Sequence, residues 1–327
     1  MKRRAFIRLL GVTAIGAPSI VRAQKSVPII AFLGIGSPEI LGSRLAGFRR
    51  ALSDAGFNEG KNLTIEYHSF TGRYEGLTQV LEDLDRRRIA AIVVPGSTPI
   101  TLAAKKSVTA VPIIFGVAEN PVSLNLVSSL AHPGGNATGV NFLAIEFDTK
   151  RLGLMHELLP NATRIALLLN PANARYTEAT KQALVAAAPA MSVDFAFFNA
   201  STPDEIDIAF QAMSRERVEA VFIATEAFFA SRVAQLPELA IRHRLPASFA
   251  NREHARAGLL MSYGASQDEI GHQIGTYAAR IINGAKPEDL PVQQAVKFDL
   301  VINLKTAQVL GVAVPPILLA RADEVIE

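Results

Sequence analysis

LTQVLEDLDRRRIAAIVVPGSTPITLAA, residues 77–104, and IDIAFQAMSRERVEAVFIATEAFFA, residues 206–230, set out one plan twice. Leu77, Val80, Leu81 and Leu84 recur at helical spacing, and Ile92 follows eight positions after Leu84 inside an apolar run. Ile206, Ala209, Phe210 and Met213 repeat that spacing, and Val221 again follows eight positions after Met213. Each copy is thus an amphipathic helix leading into a short buried strand that ends in a loop, PGSTP in the first and ATEAFF in the second.

The parallel extends outward from these segments. Each half opens with an apolar strand running into a Gly, Asn or Pro loop, FLGIGSPE (32–39) and LLLNPANA (167–174). Each third strand follows an apolar-Pro pair, Val111-Pro112 and Leu245-Pro246, and each half then reaches a short strand, TGVNF (138–142) and GLLMSYG (258–264). The apolar runs Pro28–Leu33, Ala90–Val94, Val111–Phe115, Arg164–Leu169, Glu219–Ala224 and Ala247–Phe249 are mostly continuous, as strands covered by helices on both faces should be. An α/β protein follows, with two lobes built on parallel sheets and joined by a hinge. The first crossing between lobes is expected at Asn141–Thr149 and the second at Tyr263–Asp268. The helix Asp268–Asn283, stopped by Gly284, then returns to the first lobe, and a third crossing is expected near Lys297–Ile302. Lobe 1 is accordingly residues 24–143 with 268–297, and lobe 2 residues 144–267 with 298–327.

Residues 1–23 read as a signal peptide. Lys2, Arg3, Arg4 and Arg8 form a basic head, an uncharged stretch runs from Leu9 to Val21, and Val21-Arg22-Ala23 offers a small-residue cleavage site. RRAFIR resembles a twin-arginine export signal, with Lys2 where Ser or Thr is usual, so the Sec route stays open. These residues hold five positive charges and no acid, so the net +3 of the whole chain becomes −2 for residues 24–327. No basic tract remains for nucleic acid or anionic lipid, and an exported, periplasmic protein is expected. With no cysteine, disulfides and thiolate metal sites are excluded.

Loops at the carboxyl ends of parallel strands face the crevice where α/β proteins bind ligands, and two such lobes can close on one by hinge bending. In the first lobe Thr98 before Pro99 reads as an N-cap, and the Ser97 and Thr98 hydroxyls with the free amides suit a carboxylate. Glu226 stands at the register position of Ser97 and suits the ammonium of a zwitterion, with Phe228 or Phe229 against an apolar side chain. Ser37, Glu119, Asn120, Asn170, Arg175, Tyr176, Asn251, Arg252 and Tyr263 occupy the other strand-end loops.

Several chemistries are missing. GIGSPEILG (34–42) lacks the third glycine of a dinucleotide loop, and no G-x-x-x-x-G-K-[ST], H-E-x-x-H or G-x-S-x-G occurs. His68, His132, His156, His243, His254 and His272 are scattered, so neither a metal nor a cofactor is expected.

FLGIGSPE, FRRALSDAGFNEGKNLTIEY, AHPGGNATGV, LLNPAN, ELAIRHRLPASF, GLLMSYG and the C-terminal KFDLVINLKTAQVLGVAVPPILLARADEVIE together resemble the tryptophan/tyrosine-type substrate-binding proteins of ABC transporters. The resemblance implies a type I periplasmic binding-protein fold with two Rossmann-like lobes and three crossings. It also implies permease and ATPase partners, and an aromatic amino acid or related organic acid as solute. The family's GTPA-type loop is Gly96-Ser97-Thr98-Pro99 here, its D-P-V is Asn120-Pro121-Val122, and Glu226-Ala227 stands where Asp-Pro is common. The expected role is non-catalytic capture by a monomer. A periplasmic sensor presenting its ligand to a receptor and an enzyme with its site in the same cleft are the alternatives. A repressor is excluded by the leader and the lack of a DNA-binding head.

Overall fold

The computed structural model describes residues 27–36, 41–70, 74–87 and 89–327. The leader and Ser37 lie outside the described residues.

The chain first lays down β1 (Ile29–Ile35), β2 (Thr64–Phe70), β3 (Ala91–Val94), β4 (Ile113–Val117) and β5 (Ala137–Asn141). It then lays down β6 (Arg164–Leu169), β7 (Asp194–Asn199), β8 (Ala220–Ile223), β9 (Ala247–Phe249) and β10 (Met261–Ala265). After a long helix come β11 (Gln293–Gln294), β12 (Phe298–Asn303) and β13 (Glu324–Ile326). Two sheets result, in the orders β11-β5-β4-β3-β1-β2 and β13-β12-β10-β9-β8-β6-β7. The first five strands of each half therefore take up the same arrangement. Every pairing is parallel except β10 with β12.

Burial explains which strands the apolar runs reveal. β3 and β8 are buried along their whole length, whereas the edge strands β2 and β7 alternate buried with open positions. Each sheet is covered on both faces by its own apolar clusters. Leu84 and Met213, the matching helix residues, are both fully buried against their sheets. The helix Pro203–Arg215 starts from Thr202, whose side chain accepts from the Glu205 amide at 3.3 Å, while Glu205 reaches back to the Ser201 amide at 2.6 Å.

The chain passes between the sheets three times: after β5, between β10 and the helix Gln267–Ile282, and between β11 and β12. Leu143, just after β5, holds a left-handed φ of 55°. The third pass occupies residues 295–297, earlier than expected, because Phe298 already pairs with Ala265 in the second sheet. The helix Gln267–Ile282 runs back along the helix Gly42–Asp54, and glycines set how closely. A Cβ on Gly271 would lie 1.9 Å from the Arg44 carbonyl oxygen, and one on Gly47 2.1 Å from that of Asp268. That contact fixes the first turn of the helix carrying Arg44.

Candidate functional site

Two adjoining cavities open between the carboxyl ends of the two sheets. Arg44, Gly96, Ala227, Ala230, Asn251 and Gln267 line both. One chamber takes its polar groups from Ser43, Ser97, Ser231 and Glu253. The other is aromatic, with Phe142, Phe147, Phe249 and Tyr263, and it contains Asp148 and Glu226. Ser43 donates to Glu253 at 2.5 Å, a direct bond from the helix after β1 to the short helix after β9.

The loops after β3 and β8 are capped alike. Ser97 accepts from the Ile100 amide at 3.4 Å, and Glu226 accepts from the Phe228 amide at 2.6 Å. The cap of the first helix is thus Ser97, not Thr98: Ser97 keeps extended backbone, while Thr98 and Pro99 already belong to the helix. The Thr98 hydroxyl donates instead to Glu119 at 2.6 Å, so the protein's own carboxylate stands at this helix end. Burial pushes the Glu119 carboxyl up, and its Oε1 meets no partner. Burial likewise pushes Glu226 up, partly offset by bonds from the Asn170 side chain at 3.0 Å and the Phe228 amide. Across the cleft, burial and the Glu226 charge push the Tyr74 phenol up to about 12.

The remaining predicted residues divide by position. Asn251 and Tyr263 line the cavities, Asn251 both and Tyr263 the aromatic one. Asn170 is buried and structurally committed, accepting from the Ala172 amide and Ser201 besides donating to Glu226. Asn120 is exposed and accepts from the Val122 amide at 2.9 Å. Tyr176 and Phe228 are buried and line neither cavity; Phe228 packs in the apolar layer beneath its loop. Arg175 is exposed, and Arg252 is bound up with Asp299 and Glu324.

Sequence reading missed Arg44. Its guanidinium bonds the Pro95 carbonyl and the Gln267 side chain, lies 5.2 Å over the Phe142 ring, and leaves a buried Nε without a partner. Among the described residues no carboxylate forms a direct ion pair with it, and burial, partly offset by the nearby Glu253 charge, pulls its pKa down to about 10. A Cβ on Gly96 would lie 2.1 Å from this guanidinium, so a larger residue there would make the Arg44 side chain shift. Among the described residues no group of three His, Asp or Glu could hold a metal, and no helix is long and apolar enough to cross a membrane.

The chain is similar to known proteins along most of its length. It is 24% identical over 267 residues, 81% of this chain and 75% of the relative, to a tyrosine-binding protein of Clostridioides difficile (strain R20291). Its fold superposes with a TM-score of 0.82 on a conserved domain protein of Vibrio cholerae O1 biovar El Tor, at 28% identity, covering 91% of this chain and 99% of that one. The TM-score is 0.80 to an ABC domain of Streptococcus pneumoniae in complex with L-Trp, at 24% identity, covering 92% and 100%. The architecture is the two-lobed type I periplasmic binding-protein fold. A family described as ABC transporter substrate binding protein matches residues 26–326, and the chain belongs to it, a substrate-binding protein of an ABC transporter rather than an enzyme.

Proposed function

We propose that this protein is exported and captures a small carboxylate-bearing solute, an aromatic amino acid or a related organic acid, between its lobes. The closed form then docks on a cognate permease driven by an ATPase, and the solute is imported. Lobe 1 is residues 24–143 with 268–297 and lobe 2 is residues 144–267 with 298–327.

Arg44 carries this reading. A guanidinium held in a cleft with no direct ion pair, only the nearby Glu253 charge, is costly, and a ligand carboxylate would supply the close partner it lacks. Because Glu119 already stands at the end of the Thr98–Ser107 helix, the solute's carboxylate is assigned to Arg44, with Ser97 alongside. Glu226 faces the aromatic chamber and takes the ammonium, while Phe142, Phe147 and Tyr263 enclose the side chain. The name of the C. difficile relative and the L-Trp held by the S. pneumoniae domain support an aromatic amino acid.

A thermal-shift screen of the purified protein against amino acids, aromatic acids, nucleosides and small sugars tests the reading. A solute at a hundred times its dissociation constant adds about 2.7 kcal/mol. Carboxylates should raise the melting temperature, and aromatic amino acids most. A shift with sugars or nucleosides alone refutes the assignment.

A further inference from the structure

Two acids line the aromatic chamber, and their surroundings differ. Asp148 is buried, and every oxygen is engaged: Oδ1 accepts from the Thr225 hydroxyl at 2.6 Å and Oδ2 from the Tyr176 hydroxyl at 2.5 Å. The fully buried Arg151 lies 3.1 Å from Oδ1 and balances its charge in place. Arg151 also donates to the Ile223 carbonyl at 2.6 Å, and its guanidinium sits 4.1 Å over the Phe222 ring. The charge of Asp148 is therefore already met within the protein. Glu226, in the same chamber, forms no ion pair among the described residues.

The network has a second consequence. Thr225 is the residue bonded to Glu226, so clamping its hydroxyl fixes the peptide from which the Glu226 side chain leaves. Asp148 and Arg151 lie on the helix Ala144–Leu158, which begins directly after Leu143, where the chain passes between the sheets. The end of β8, the Glu226 loop and this helix are thereby tied into one unit.

We infer that Asp148, Tyr176 and Thr225 are positioning residues that hold Glu226 in place to select an ammonium-bearing solute over its des-amino analogue. The inference rests on the proposed role of Glu226. Asp148 does not itself bind the solute; it acts through Thr225. Tyr176, on the helix Ala174–Ala187 and lining neither cavity, acts through Asp148.

Titration calorimetry on the intact protein tests this, with L-tryptophan, L-tyrosine and their des-amino analogues as probes. Wild type should prefer the amino acids. Thr225→Val removes the clamp at nearly constant volume, and Tyr176→Phe removes the other bond. Each should weaken amino-acid binding about tenfold and leave the des-amino analogues within about twofold, so the preference collapses. Thr225→Ser, which keeps the hydroxyl, should restore it. A merely structural network would lower the melting temperature while both ligand classes kept their ratio, and that outcome overturns the inference. Both variants failing to fold, with Thr225→Ser folded but lacking the preference, overturns it too. If wild type binds the probes without preferring the amino acids, the ammonium role of Glu226 falls with it; if it binds none of them, the proposed solute class falls first.

Discussion

Replacing Arg44 by Met should separate stability from binding in one substitution. Burial that draws a guanidinium's pKa down to about 10 disfavours its charged form by roughly 3 kcal/mol. Part of its surface faces the cavity, so that figure is an upper bound. Met keeps most of the aliphatic stem and removes the charge, but it also deletes the bonds to Pro95 and Gln267. At about 1 kcal/mol each, these losses offset most of the gain, leaving the ligand-free variant unchanged or about 1 kcal/mol more stable. The melting temperature should therefore hold or rise by about 1–2 °C. Affinity for a carboxylate solute should fall about a hundredfold, as for a charged partner lost from a desolvated site. Differential scanning calorimetry without ligand and titration calorimetry with L-tryptophan or L-tyrosine supply both numbers. A fall of several degrees with unchanged affinity would show that Arg44 is structural, and would refute the assignment of the solute's carboxylate.

Three further predictions follow from burial and close packing. Glu226 has a raised pKa when free and must ionise to meet an ammonium, so amino-acid binding should release a proton and strengthen as pH rises above about 4.5 toward the raised value. Calorimetry in buffers of different ionisation enthalpy reads that release, and Glu226→Gln should abolish it. His254 is buried with its pKa lowered to about 4, so it favours unfolding as it protonates. The unfolded chain binds its proton near pH 6.5 and the native protein only near 4, so up to about 3 kcal/mol is lost as pH falls across that window; His254→Leu should flatten the wild-type acid dependence of the melting temperature. Gly271→Ala would press a methyl into the Arg44 carbonyl and should cost about 1–3 kcal/mol of stability. Because it displaces the turn bearing Arg44, it should also weaken carboxylate binding, whereas Gly153→Ala, which meets nothing within 4 Å, should do neither.

What could be read from the sequence depended on whether a residue's environment is set nearby in the chain. The central strands announce themselves because both faces are covered, and the edge strand β2 does not, because its polar positions dilute the apolar signal. That Ser97 and Glu226 share one register position was legible from the eight-residue spacing alone. Which of Ser97 and Thr98 caps the helix was not, since two adjacent hydroxyls can each serve and a carboxylate 21 positions on takes the second. Arg44 was the costliest omission. It sits beside Leu45 in a stretch that also reads SRLAGFRR, where an arginine is ordinarily a solvated face. It enters the cleft only because a helix more than 200 residues later packs onto Gly47 and supplies Gln267.

The same repetition that made the fold readable bears on why the cleft is polar in one direction. Two halves of equal plan bring equivalent loops face to face, and equivalent loops with equivalent side chains would make a symmetric site. The backbone keeps the equivalence, since the loops after β3 and β8 both end in a capping side chain at the same register. The side chains abandon it. A hydroxyl caps on one side, beside a guanidinium that enters over Gly96, and a carboxylate caps on the other, backed by a neutralised Asp148–Arg151 pair. On the proposed function, a solute with separated charges would satisfy both sides in one orientation, with the lobes brought together. Differential affinity for the closed state is what closure requires, and under that proposal it would arise from the positions where the two copies of the plan differ.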